Sequence, residues 1–485
     1  MTEAEALERR KWWSLVLLAA AQFVVVLDAS IVNVALPSIG KDLEISQENL
    51  SWVVNAYTLF FGGFLLLGGR MADLLGRRRV FMGGLVLFAV ASLAGGFAES
   101  ELQLIVARAV QGLGAAILSP AALSIVTTTF AEGAERNKAL GVWGAVAGSG
   151  GAAGVLLGGM LTEWLSWEWV LFVNVPIGVI AALLAPRLLM ESRDERANRT
   201  FDVAGALSVT AGLAILVYAL VDAEQAGWGS TQTLVLLPAA ALLLVAFVVV
   251  ELRQRAPLVP FSIFRLRTLT ASNAIGLLVG MSLFSMFFFV SLYMQQVLRF
   301  DALEAGLAYL PLAVTIMASA GAASQLVTKF GFKPILITGL LCVAAGLVWF
   351  SQVSVGGSYV GDVLFPSLLA AVGLGFSFVP VTLGAVAGTK PDEAGLASGL
   401  INTSQQIGGA LGVAILASVA NSVTNGSTAT NPGVALTEGF QTAFLVGAGF
   451  ALVGAILTQV LISSRDSKEM VARAKAGEEP AVAVG

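Results

Sequence analysis

The sequence predicts an all-α polytopic membrane protein with fourteen transmembrane helices and both termini in the cytoplasm. Three observations predict it. Of the 485 residues, 57% are hydrophobic and only 12% charged, about half the charged share of a soluble domain. Fourteen apolar runs come near the roughly 20 residues that a bilayer-spanning helix needs. All but three of the 27 Lys and Arg fall in alternate connecting segments. The exceptions are Lys41 and Arg299 in the other set and Arg108 inside a run. That asymmetry is the positive-inside pattern, and a missed or invented span would destroy it.

Each run has its own warrant in the sequence. The first, 13–36, is too long for a cleaved signal peptide, carries Asp28 and has no small-residue cleavage site after it. Runs 50–69 and 80–98 flank the basic stretch Arg77–Arg79. Run 102–127 holds Arg108, and run 139–162 is crossed by a series of glycines. Run 170–189 ends at the charged segment 187–202, and runs 203–221 and 233–251 lie between it and a second charged segment, 251–268. Run 269–296 is rich in Phe and Met. Runs 304–327, 334–353, 359–387, 395–420 and 440–462 complete the count, and a polar tail, expected to be disordered, follows Ser463. The two charged segments divide the chain into a six-helix bundle (1–186), two additional helices with their flanking loops (187–268), a second six-helix bundle (269–462) and the tail (463–485). A weak repeat supports this division: GRMADLLGRRRVF (69–81) follows the second run and QLVTKFGFKPIL (325–336) the tenth. Gly76 and Gly331 align, each beside basic residues, and the second copy lacks the acid at Asp73. Such degenerate repeats are typical of secondary transporters.

Composition removes several kinds of chemistry. There is no His, and the single Cys342 allows neither an internal disulfide nor a thiolate cluster. Without GxxxxGK[ST], HExxH or GxSxG, ATP hydrolysis and intramembrane hydrolysis are disfavoured, and no cofactor or metal is expected. The outer segments carry acids and only two bases, so the outer face does not suit nucleic acid. A non-transporting membrane sensor or scaffold would need no buried Asp and Arg.

Asp28 is the most informative residue, the only acid well inside a run. Burying it costs about 2.5–3.5 kcal/mol on insertion scales, so it should face a cavity or a partner. Without His, it is the best candidate for carrying a proton. Arg108 lies about 9 Å below the outer surface and Asp28 about 12 Å, so the two are expected to pair. Gln111 shares a helix face with Arg108. In the segment read as a loop, Gly69, Asp73, Gly76, Arg77 and Arg78 stand out beyond what a topology signal of three successive Arg explains. Asp73 can pair with Arg or with the positive end of another helix, and Gly76 permits a tight turn. Gly150, Gly154 and Gly158, spaced by four, form a smooth stripe that admits a neighbouring backbone. Asn33, Tyr57 and Gln111, with Tyr293, Gln295 and Gln296 of MSLFSMFFFVSLYMQQVL (281–298), are candidates for a wide substrate cavity; lipid-facing or core placement is the competing expectation for the ninth helix.

Taken together, these motifs resemble the major facilitator superfamily, and more narrowly its 14-helix drug:proton antiporters, the EmrB/QacA branch. The resemblance spans nearly the whole chain. It rests on GRMADLLGRRR (69–79), RAVQGLGAA (108–116), LDASIVNVALP (27–37), SWVVNAYTL (51–59), WEWVLFVNVPIG (167–178) and AGLAYLPLA (305–313). The antiporter pattern of the fifth helix, G-x8-G-x3-GP-x2-GG, is met by Gly141, Gly150, Gly154, Gly158 and Gly159, with Val155 in place of its proline. Glu168 stands where the branch has Arg. The resemblance implies two six-helix bundles rocking around a central cavity in the cell membrane. It implies that Asp73 locks an inner gate against the thirteenth helix and that Asp28, assisted by Arg108, exchanges a proton for substrate. The expected function is proton-driven export of lipophilic small molecules such as antibiotics, by a monomer whose partners are substrate, protons and the lipid bilayer. The alternatives are export of one dedicated metabolite or lipid, and solute:proton symport.

Overall fold

The computed structural model describes residues 3–45, 47–50, 52–192, 202–254, 257–390, 393–463 and 467. Among them there is no strand. The long helices are α1 (Glu3–Asp42), α2 (Trp52–Leu75), α3 (Arg77–Gly96), α4 (Glu101–Thr129), α5 (Ala134–Trp164), α6 (Asn174–Leu188), α7 (Val203–Ala226) and α8 (Thr231–Arg253). They continue with α9 (Arg267–Leu292), α10 (Leu310–Phe330), α11 (Phe332–Phe350), α12 (Phe365–Val386), α13 (Ala394–Gly426) and α14 (Pro432–Leu461). Twelve spans among the described residues are long and apolar enough to cross a membrane, and α5, bent by 42°, makes a thirteenth if it is taken as one span. Within α7 the apolar stretch is shorter, Ala204–Leu220.

The helices depart from the apolar runs for physical reasons. Prolines start new helical segments, because a proline nitrogen cannot donate but fits the first turn. Thus Ala302–Ala308 breaks before Leu310–Phe330, with Pro311 in its first turn, and Tyr359–Leu364 precedes α12, which opens with Pro366. The segment Gly69–Arg79 is not a loop, as its charge had implied. Helix α2 runs through Arg70 and Asp73 to Leu75, and only Gly76 interrupts it before α3. The charge is tolerated in helix because the Asp73 carboxylate is fully satisfied by neighbours described below. Gly76 turns the chain at φ 106°, and Gly331 does the same between α10 and α11 at φ 86°, a left-handed conformation that favours glycine.

Packing repeats with an offset of eight helices. In the first half α3 and α2 pack on α4, α1 on α5 and α6, and α3 on α6. In the second half α11 and α10 pack on α12, α9 on α13 and α14, and α11 on α14. The two sets meet along α2 with α13 and α5 with α10. Helix α7 lies against both α2 and α13, and α8 packs on α7. The most buried spans are those containing α4 and α12, and α8 is the least buried, with Leu234, Val235, Leu242 and Val245 exposed. That distribution suits central helices and a lipid-facing one.

Candidate functional site

Asp28 and Arg108, eighty residues apart, meet inside the first bundle. Arg108 Nη1 donates to Asp28 Oδ2 at 2.6 Å, and both side chains are essentially inaccessible. The same Nη1 donates to Gln111 Oε1 at 2.7 Å, and Arg108 Nε donates to the Val53 carbonyl at 3.0 Å. Gln111 Nε2 in turn donates to Asp28 Oδ1 at 2.8 Å. The guanidinium lies 4.4 Å from the centre of the Tyr57 ring, a cation–π contact. The Tyr57 hydroxyl donates to the Val25 carbonyl at 3.2 Å, tying α2 back to α1.

Two further residues complete the cluster. Asn174 Nδ2 donates to Asp28 Oδ1 at 2.7 Å and to Ser92 Oγ at 3.0 Å. Gln111 Nε2 also donates to Ser92 Oγ at 3.0 Å, and Ser92 Oγ donates to the Leu171 carbonyl at 2.9 Å. Neither Ser92 nor Asn174 was singled out from the sequence, although Asn174 lies within the quoted WEWVLFVNVPIG. The available signal was a polar side chain inside an apolar run, which must find a partner when buried. Asp28 therefore accepts from three donors carried by α4 and α6: Arg108, Gln111 and Asn174. Charge-assisted bonds of this kind are short and about twice as strong as neutral ones.

The glycines of α5 form the wall behind Asp28. A Cβ on Gly150 would lie 2.8 Å from Val26 Cγ1, one on Gly154 would lie 2.7 Å from the Leu27 carbonyl, and one on Gly158 would lie 2.7 Å from the Ile31 carbonyl. These three residues let α5 press against α1 on both sides of Asp28. Gly159 is buried beside them. Gly141 serves a different contact, facing Ser324 of α10, where a Cβ would come within 2.8 Å of the serine Cβ.

The second cluster lies where α2 ends. Gly395 N and Leu396 N, at the start of α13, donate to Asp73 Oδ1 and Oδ2, each at 3.0 Å. Arg77 Nη2 donates to Asp73 Oδ1 at 2.8 Å. A carboxylate thus caps the positive end of α13 from the opposite half of the molecule. Gly69 belongs to the same contact, since a Cβ there would meet the Gly395 carbonyl and the Gly399 Cα. Arg77 N donates to the Ser192 carbonyl at 3.0 Å, and Arg78 Nη1 donates to the Leu189 carbonyl at 3.4 Å, joining the turn to the end of α6.

The cavity candidates do not gather in one place. Tyr57 and Gln111 belong to the Asp28 cluster and are 1% exposed, which leaves them no free face for a substrate in this conformation. Asn33 is exposed and bonds to the Ala29 carbonyl at 3.2 Å. Tyr293 is buried, and its hydroxyl donates to the Ser354 carbonyl at 2.8 Å and to Asp362 Oδ2 at 2.9 Å. Gln295 and Gln296 are exposed in the wide helical turn after α9. The last three thus sit at the end of α9 and anchor or border a loop, away from Asp28.

Comparison with known proteins accords with this architecture. Residues 18–413 match the family model described as Major Facilitator Superfamily. The chain is 41% identical over 471 residues to the puromycin resistance protein pur8 of Streptomyces alboniger, covering 94% of this chain and 92% of that one. It is 43% identical over 451 residues to the cephamycin export protein CmcT of Amycolatopsis lactamdurans, covering 92% of each. It is 35% identical over 415 residues to the tetracenomycin C resistance and export protein of Streptomyces glaucescens, covering 86% of this chain and 77% of that one. In fold it is similar to the human organic anion transporter MFSD10 (TETRAN), with a TM-score of 0.64 at 17% identity, covering 95% of this chain and 100% of that one. The chain therefore belongs to the major facilitator superfamily, as a multi-pass transporter of the cell membrane and not an enzyme.

Proposed function

We propose that this transporter exports lipophilic small molecules, antibiotics among them, in exchange for protons. The observation that carries the reading is the buried Asp28 carboxylate with three donors and a paired Arg108. Export is supported by relatives named for antibiotic resistance or export. In this reading α5 and α7 both cross the bilayer, giving fourteen spans. Two six-helix bundles, 1–186 and 269–462, flank the α7–α8 pair, and the repeat in packing supports that division. The ends bearing Arg77–Arg79 and Lys329 face the cytoplasm, as do both termini, in accord with the distribution of Lys and Arg.

The chemistry follows from hydrogen-bond capacity. An ionised carboxylate only accepts, whereas a protonated one must also donate. Its three partners all donate to it, so every contact it makes here uses the carboxylate as an acceptor. Asp73 meanwhile holds α2 to α13, closing the inner side. A proton entering from outside neutralises Asp28, weakens its pull on Arg108 and frees the bundles to rock. An inside-negative potential favours that entry by about 2.3 kcal/mol per charge per 100 mV. On the inner side, departure of the proton restores the Arg108 pair as substrate is taken up.

A second reading, export of one dedicated compound, is favoured by the relatives named for cephamycin and tetracenomycin C. A susceptibility panel in an efflux-deficient bacterial host separates the two, comparing wild type with Asp28→Asn at matched membrane levels. Protection against several unrelated lipophilic compounds, lost in Asp28→Asn, supports multidrug antiport. Equal protection by both removes Asp28 from coupling. Protection against a single compound class moves the dedicated reading ahead.

A further inference from the structure

The inner contact between the two halves has a second fastening. Asn137, in the first turn of α5, donates through Nδ2 to Thr328 Oγ1 near the end of α10, at 2.9 Å. Asn137 is 1% exposed. The Thr328 hydroxyl also donates to the Ser324 carbonyl at 3.0 Å, so it has both a donor and an acceptor as partners. Thr328 precedes Gly331 by three residues, as Asp73 precedes Gly76. The repeated turn works alike in each half. Arg78 donates to the Leu189 carbonyl beyond α6, and Lys333 Nζ donates to the Gln459 and Ile462 carbonyls at the end of α14, at 2.9 and 2.8 Å. Thr328 therefore occupies the place of Asp73. Both residues reach across to the beginning of the fifth helix of the opposite half, α13 for Asp73 and α5 for Thr328.

We propose that Asn137 and Thr328 form a second latch of the inner gate, the neutral counterpart of the Asp73 latch, and position the bundles for transport. The proposal rests on the gating reading of Asp73 given above. The two latches differ in kind. Asp73 joins α13 through a carboxylate on two backbone N–H groups, whereas Thr328 joins α5 through one neutral bond between side chains. Around this neutral bond the charged groups have partners of their own, Glu135 with Lys11 and Arg136 with Glu132. The seam behind the latch is tight, with Gly141 against Ser324 one turn from Thr328. Opening the inner side must break both fastenings, and the neutral one titrates with neither substrate nor proton.

The test uses the full-length chain in inside-out membrane vesicles, with Cys342→Ala to remove the native thiol. Ser324→Cys supplies a nearly isosteric reporter in the seam, and a membrane-impermeant maleimide measures its accessibility from the inner face. Thr328→Val keeps the shape and removes the hydroxyl. It should raise the labelling rate about two- to tenfold, the range expected for one neutral hydrogen bond. Thr328→Ser should label like the parent. Asn137→Cys with Thr328→Cys, in the Cys342→Ala chain without the reporter, should lose transport on reaction with a short reducible cross-linker and regain it on reduction. If Asp73→Asn raises the labelling rate and Thr328→Val does not, the second latch falls and the Asp73 gate stands. If neither does, the gating reading falls and takes the latch with it. Transport that continues through the cross-link also overturns the proposal.

Discussion

At the scale of single residues, the Asp28 cluster concentrates the energetics. Removing one partner of a buried pair leaves an uncompensated charge, which costs about 3–5 kcal/mol. Arg108→Leu is therefore expected to lower the thermal unfolding temperature and to abolish transport, whereas Asp28→Asn, nearly isosteric and hydrogen-bonding, should insert normally yet fail to couple. Purified proteins compared by melting temperature and by proton-driven uptake into inverted vesicles would decide this. Asn174→Leu deletes one donor to Asp28 and should reduce transport with a smaller loss of stability, of about 1–3 kcal/mol. Equal transport by Asn174→Leu would show that Arg108 and Gln111 suffice. The Asp28–Arg108 contact was legible in the sequence because each is the lone charge of its sign deep in an apolar run, at similar depth. Ser92 and Asn174 were not singled out, since small polar residues inside helices often satisfy themselves on their own backbone, as Ser30 does on the Leu27 carbonyl. The cavity candidates from α9 had only composition behind them. Composition does not say where along a helix a side chain meets a loop, as Tyr293 meets Ser354.

At the scale of elements, the turns and the close helix pairs are the exposed points. Gly76 has φ 106°, and a Cβ there would approach the Glu191 carboxylate at 2.8 Å. Gly76→Ala should cost at least about 1–2 kcal/mol from backbone strain. It should also weaken the junction of α2, α3 and the end of α6. Expression level and melting temperature check it, and an unchanged melting temperature would mean the turn adapts. Gly154→Val should be more severe, because both the Leu27 carbonyl and the Ser30 side chain occupy the space. Asp73→Asn keeps the shape of its contact with α13 but removes the charge that complements two N–H groups. It should insert normally while transport falls, and unaltered transport would remove Asp73 from gating. The element boundaries show what sequence could not supply. Charge at Arg70, Asp73 and Arg77–Arg79 signalled a loop, yet helix persists because a distant helix end receives the Asp73 carboxylate. That partner lies more than three hundred residues away, beyond the reach of local pattern.

At the scale of the whole molecule, Asp28, the only acid well inside an apolar run, limits the charge that can be exchanged. In the proposed cycle a single carboxylate carries the proton exchanged against substrate, so monocationic, neutral and zwitterionic compounds should be exported and bis-cations poorly. Robust export of a bis-cation dye from cells would contradict this. Collapse of the proton gradient by an uncoupler should stop export in vesicles supplied with ATP, and persistence there would point to another energy source. The all-helical polytopic fold was the most legible level of all, though the described helices pass the length and apolarity test for twelve or thirteen spans. Fourteen apolar runs, a lopsided distribution of basic residues and one weak repeat are long-range statistical features, and no single contact decides them. The offset of eight helices in the packing is the three-dimensional form of that repeat.

The position of α7 has a consequence for how a membrane-dissolved compound reaches the interior. Gly62 and Gly63 of α2 face Val217 and Ala214 of α7, Trp52 stacks on Tyr218 at 5.5 Å, and α7 continues onto α13. One of the two seams between the halves is thus covered by α7. The other, between α5 and α10, is met by the short helix Ala302–Ala308, with Gly306 against Leu156 of α5, and carries no counterpart of α7 among the described residues. The two seams are therefore unequal: one is overlaid by an extra helix pair, the other only by the short helix that leads into α10. Under the proposed export of lipophilic compounds, a sideways route would run between α5 and α10 and not past α7.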